Sequence, residues 1–248
     1  MRHALSWLIA CSLLLSNVFA HASVFDDLLQ DLGKAGNSKN TSTQVALSDQ
    51  DVTRGLKDAL SEGATRAVVL LGRADGFWQN DAVRIPLPGF LQKAEPVLNM
   101  LGQGQKLEEL KLALNRAAEA AVPQAKTLLV DAIKNMSVAD AKSVLTGGDD
   151  AATQYFRKAT ADKLQARFLP IVKQTVNRLK LSEQYDKVAA SAAQAGLVDQ
   201  NQSSMASYVT SKALDGLFLM IADEEKAIRR DPLGRSSAYI RKVFGSLK

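Results

Sequence analysis

Two short stretches of this chain gather side chains that could do chemistry. The first reads Arg73-Ala74-Asp75-Gly76-Phe77-Trp78-Gln79-Asn80-Asp81-Ala82-Val83-Arg84. Aromatic rings and guanidinium groups are the common anchors of binding surfaces, and carboxylates can orient a polar ligand, so Arg73, Asp75, Phe77, Trp78, Asp81 and Arg84 form the leading candidate surface. Asp75 and Asp81 could serve as an acid/base pair only at a set spatial separation, which six positions of loop do not impose. The competing reading is structural: Phe77 and Trp78 plug the core while Arg and Asp pair at its rim. The second stretch is Asp223-Glu224-Glu225-Lys226-Ala227-Ile228-Arg229-Arg230. Here Glu224, Glu225, Arg229 and Arg230 could form an anion-binding or catalytic patch. The plainer expectation is a solvated helix end, where a Glu225–Arg229 pair four positions apart contributes about 0.2–0.5 kcal/mol.

Other chemistry is excluded by where the reactive residues lie. Both histidines, His3 and His21, and the single cysteine, Cys11, fall within the first 22 residues. That segment has a basic start at Arg2, an apolar run from Ala4 to Phe19 and the small-x-small triplet Ala20-His21-Ala22, which together form the layout of a cleaved secretory signal. Leu8-Ile9-Ala10-Cys11 resembles a lipidation signal, but few apolar residues precede Cys11 and Leu13-Leu14-Leu15 would stay on the product, so cleavage after Ala22 fits better. The chain that remains has no His and no Cys. It can form no disulfide, no Ser/His or Cys/His nucleophile system and no zinc site of the usual kind. Carboxylates, Lys, Tyr, Ser, Thr and Arg are left.

Charge and length set further bounds. With 31 Lys+Arg against 26 Asp+Glu the net charge is +5, one unit of it from Arg2, and no basic stripe of the kind that reads nucleic acid is present. After the first segment the longest apolar run, Leu217 to Ala222, is far short of a membrane span. The remaining length fits one domain.

The elements that must position the candidates read as helices. Val24 to Leu32 is a short amphipathic piece, and Gly33 to Thr43 is a polar linker. Ser48 has the form of a helix cap, behind which Val52, Leu56, Leu60, Ala64, Val68 and Leu71 share one face up to Gly72. The period then breaks from Arg73 to Pro88, with Val83-Arg84-Ile85 as a brief extended piece; loops of this kind carry sites. Helical patterns return at Phe90 to Leu101, kinked or split at Pro96, at Lys106 to Ala121, and after Pro123 to Met136. Ser137 and Asp140 resemble a capping box for a helix stopped by Gly147-Gly148, with Asp149 and Asp150 as the acidic first turn of the next. Helices follow at Ala151–Phe168, Pro170–Leu179 and Ser182–Ala195. The stretch from Ser204 to Arg230 has so wide an apolar face that it should be central, and a basic amphipathic helix from Ser237 to Phe244, able to sit on anionic lipid, ends the chain. Gly102-Gln103-Gly104-Gln105-Lys106 lacks the spacing of a phosphate loop.

Five strings carry a resemblance: Ile85-Pro86-Leu87-Pro88, Asn115-Arg116-Ala117-Ala118-Glu119, Met136-Ser137-Val138-Ala139-Asp140-Ala141, Ala151-Ala152-Thr153-Gln154-Tyr155 and Glu224-Glu225-Lys226-Ala227-Ile228-Arg229. In this order they resemble the bacterial family catalogued as domain of unknown function 4197. The resemblance spans about Leu47 to Gly245; it implies an exported helical protein and brings no activity or ligand with it.

The expectation is therefore an all-α, multi-helix bundle of about eight to ten helices with short connections. Residues 1–22 form the signal peptide, 23–46 a short helix and flexible linker, and 47–248 a single helical domain. The functional expectation is a non-catalytic periplasmic protein that binds an envelope protein, lipid or cell-wall component. It takes no cofactor, metal or nucleic acid and has no transmembrane helix in the mature chain. The alternative is a hydrolase working with carboxylates and Arg alone.

Overall fold

The long apolar stripes read from the sequence do form helices, and the stripes decide which faces meet. The computed structural model describes residues 49–178, 203–231 and, between them, 182, 183, 185–187, 190 and 194. The segment 1–22 expected to be a signal, the 23–46 stretch, Ser48 and the helix expected at 237–244 lie outside the described residues, as does much of the Ser182–Ala195 stretch. Described residues are all-helical, with no strand among them: α1 (Asp49–Gly72), α2 (Gly89–Met100), α3 (Gly104–Ala121), a 3-10 turn (Val122–Gln124), α4 (Ala125–Lys134), α5 (Val138–Thr146), α6 (Ala151–Val176) and α7 (Met205–Arg230).

Seven α-helices among the described residues is fewer than the eight to ten expected, and one reason is a proline. Pro170 was expected to separate two helices, yet α6 runs through it. Proline removes one intrahelical hydrogen bond, here to the carbonyl of Ala166. Both residues face solvent, where water can serve that carbonyl. On the opposite side Leu164, Phe168, Val172 and Val176 are all fully buried, so the apolar stripe continues across the proline and holds the helix together. Pro96 is likewise inside α2, on its exposed side.

Local signals set several boundaries as expected. Ser137 caps α5 in a reciprocal box with Asp140, whose carboxyl is held below its ordinary value by hydrogen bonds from the Ser137 hydroxyl and backbone N–H. Ser204 caps α7 by accepting from the Ser207 N–H. Proline breaks the helical run at the turn between α3 and α4.

The core lies where α7 meets α6, α1 and α3, with Met205, Val209, Ala213 and Leu217 of α7 fully buried. Its central placement follows from an apolar face too wide for one neighbour to cover. Tyr155 of α6 ties in α4 by donating its hydroxyl to the Ala132 carbonyl at 2.9 Å. No helix among the described residues is long and apolar enough to cross a membrane.

Candidate functional site

Residues 73–88 leave α1 as a series of turns and reach α2 without regular structure. What fixes them is a row of polar side chains on α3. Glu119 is buried, and its Oε1 accepts the backbone N–H groups of Phe77 at 3.0 Å and Trp78 at 3.1 Å. Its Oε2 receives Arg116 Nη1 at 2.6 Å, while Arg116 Nη2 donates to Asp75 Oδ1, also at 2.6 Å. Those two hydrogen bonds, the one to Glu119 first, hold the guanidinium's proton affinity above its ordinary value. One turn back, fully buried Asn115 accepts from the Ile85 N–H at 2.8 Å and returns its amide N–H to the Ile85 carbonyl at 3.0 Å.

The expected extended piece at Val83-Arg84-Ile85 is thus not a strand. Its in-and-out alternation is nonetheless present: Val83, Ile85 and Leu87 are buried while Arg84 and Pro86 are exposed. A side-chain amide supplies the backbone pairing that a neighbouring strand would otherwise give.

α7 holds the loop from the other side. Phe77 is completely buried, and its ring lies so close to α7 that a Cβ on Gly216 would stand 2.8 Å from Phe77 Cε1. Tyr208 donates its hydroxyl to the Pro86 carbonyl at 3.1 Å. Burial, with Tyr185 nearby, pushes the Tyr208 phenol up to about 12. Asn80 reaches Met220 Sδ at 3.9 Å.

The candidate residues therefore part company. Phe77 is a core plug, and Asp75 is spent on Arg116 at a backbone φ of 66°. Arg73 is exposed. Trp78, Asp81 and Arg84 form a small outward group: Arg84 donates Nε to the Trp78 carbonyl at 2.6 Å, pairs with Asp81 at 3.0 Å and holds its guanidinium carbon 5.3 Å from the Trp78 ring centroid. Trp78 is partly buried, and the side chains of Arg84 and Asp81 are 46% and 91% exposed.

The second candidate patch is corrected by its environment. A solvated end was expected for Glu225 and Arg229, but Glu225 is buried. Its carboxylate accepts the Ala152 and Thr153 backbone N–H groups, each at 2.9 Å, and the Thr153 hydroxyl at 2.8 Å. Arg229 closes the joint by donating Nη2 to Glu225 Oε1 and to the Val144 carbonyl, both at 2.8 Å. The first turn of α6 therefore receives its negative charge from α7. The acids expected to provide it, Asp149 and Asp150, do not, and the Asp150 side chain makes no capping bond. The cause is electrostatic: free N–H groups at a helix start favour any carboxylate that reaches them, and a buried one acts in a lower dielectric. Glu224 is also buried and meets Arg66 of α1 at 3.4 Å, while Arg230 stays exposed.

Asn115, Arg116 and Glu119 were absent from the sequence-based candidates. The signal was present: Asn115 adjoins Leu114 and Glu119 adjoins Ala118 on the face that buries Leu107, Leu110 and Leu114, and polar residues beside an apolar stripe need partners when buried. No group of three or more His, Cys, Asp or Glu residues among the described residues could hold a metal ion.

Set beside known proteins, the chain matches no curated protein and no solved structure. A family model described as "Protein of unknown function (DUF4197)" matches residues 46–245. That is most of the chain, which belongs to this family. All five strings that carry the resemblance contribute to the joints or caps described above.

Proposed function

We propose that this member of the DUF4197 family is an exported, non-catalytic protein of the bacterial envelope, acting by binding a protein, lipid or cell-wall partner. The observation that carries the reading is how the buried carboxylates are used. Glu119 and Glu225 each accept two backbone N–H groups and an arginine, and Asp75 is held by Arg116. A hydrolase built on carboxylates needs at least one acid able to take up and release a proton against substrate. Here those acids are committed to holding elements together. The outward remainder of the loop, Trp78 with Arg84 and Asp81, has the residue types of a contact surface on a rigid frame.

Export rests on the first 22 residues, and periplasmic release rests on cleavage after Ala22 rather than lipidation at Cys11. N-terminal sequencing of the secreted form should begin at or within a few residues of Ser23; a start at lipidated Cys11 would overturn the released form.

Native mass spectrometry of the protein purified from its own periplasm tests the binding reading. The wild type should carry a retained ligand or subunit that the Arg84→Ala variant loses while melting within a few degrees of it. Retention by Arg84→Ala, together with a steep loss of melting temperature in Trp78→Ala, would reduce the loop to a plug.

A further inference from the structure

The α2–α3 hairpin ends in a tip that the other described helices leave exposed. Residues 96–105, Pro-Val-Leu-Asn-Met-Leu-Gly-Gln-Gly-Gln, contain no charged side chain. Three of them are large, apolar and exposed: Val97 at 53%, Met100 at 80% and Leu101 at 67%. Such a cluster at one turn costs solubility unless something covers it.

The turn is rigid. Gln103 N–H donates to the Leu98 carbonyl at 2.9 Å and Gly102 N–H to the Asn99 carbonyl at 3.0 Å, with Gly102 at a φ of 73°. This paired closure of a helix end needs a residue at home in the left-handed region, and glycine is that residue. The exposed side chains are thus presented on hydrogen-bonded backbone.

Charge placement points to the occupant. Lys93, Val97 and Met100 or Leu101 follow at intervals of three or four, so they share one face of α2. Lys106 lies just past the turn, and both lysines are exposed. Glu95 falls on the opposite side of α2 from Lys93 and is bound by Lys111 at 2.6 Å, which also holds Glu108 at 2.8 Å. Glu109, a turn further from the tip, accepts from Gln105 at 3.1 Å. Lysines standing behind an apolar tip can bury their methylene stems at a lipid interface while their ammonium groups meet anionic headgroups.

We propose that this tip docks the protein on an anionic lipid bilayer, with Met100 and Leu101 entering the interface and Lys93 and Lys106 meeting headgroup phosphates. The inference rests on the envelope-binding reading but uses a surface that does not include Trp78 or Arg84, so separate variants test the two.

The experiment is co-sedimentation of the processed, full-length secreted protein with vesicles of phosphatidylcholine alone or mixed with phosphatidylglycerol. The wild type should bind the anionic vesicles and not the neutral ones. Met100→Ser combined with Leu101→Ser should abolish most of that binding with an unchanged melting temperature. Lys93→Gln with Lys106→Gln should weaken it roughly tenfold or more. Lipid affinity arising elsewhere in the chain is common to all variants and cancels in the comparison. Equal binding by wild type and the Met100/Leu101 variant, or equal binding to both vesicle types, would overturn the proposal. So would sedimentation velocity showing a wild-type dimer that the Met100/Leu101 variant dissolves, since the tip would then cover a second copy.

Discussion

Glu225 reaches across from α7 to accept the backbone N–H of Thr153 at 2.9 Å, seventy-two residues earlier in the chain. One carboxylate thereby serves a helix start, a threonine hydroxyl and an arginine whose Nη2 also holds the end of α5 at Val144. The joint fixes the ends of two helices on a third.

Glu225→Ala removes the acceptor for three donors and leaves Arg229 without its closest acid. Breaking a buried ion pair from one side costs about 3–5 kcal/mol. The expected result is a fall in melting temperature on the order of 10 °C, measured by circular dichroism. Glu225→Gln keeps an acceptor in place and should lose markedly less. Equal losses from both substitutions would show that shape rather than charge matters at this position.

Gly216→Ala places a methyl group against Phe77 and, at 3.2 Å, against Val83 Cβ. Overpacking of this kind costs about 1–3 kcal/mol. Phe77→Leu takes away the ring atoms that clash, so the double variant should recover part of the Gly216→Ala loss. A double-mutant cycle from urea unfolding measures the coupling; simple additivity would contradict the contact.

The Tyr208 phenol makes stability depend on alkaline pH. Because folding raises its value from the ordinary 10.0 to about 12, the neutral phenol is favoured in the folded state. Its contribution is complete below pH 10 and is lost as pH rises through 10 towards 12. Tyr155 and Tyr185, also raised by burial, act in the same direction, so the measurement is a difference. Tyr208→Phe should cost about 0.5–1.5 kcal/mol near neutral pH for the lost bond to Pro86, and its stability should decline less steeply than wild type above pH 10. Parallel alkaline curves would remove Tyr208 from the account.

Much of the fold could be read from local pattern because local physics set it. The stripe from Val52 to Leu71, the box at Ser137 and Asp140 and the helix start near Ser204 depend on neighbours within a turn or two, which a sequence displays directly. What escaped was set by distant partners. Pro170 reads as a helix break until the buried row from Leu164 to Val176 is seen to outweigh one lost hydrogen bond on a wet face. Glu225 and Arg229 read as a surface pair because spacing gives their separation along the helix and says nothing of the helix start they meet. At the candidate loop, spacing located the irregular segment but could not divide it. Phe77 turns inward and Asp75 pairs with Arg116 for reasons that lie on α3 and α7, while Trp78 is only partly buried and Arg84 remains outside.

The long reach of these joints bears on how the chain matures. Glu119 follows the N–H groups it serves by about forty residues, and Glu225 follows its own by more than seventy. A chain emerging N-terminus first from a ribosome cannot close the second joint until Arg229 has emerged. Up to that moment the start of α6 is an uncapped helix end with weak local encouragement. Truncation after α6 should therefore leave the Ala152 and Thr153 N–H groups without their acceptor and give a less stable chain.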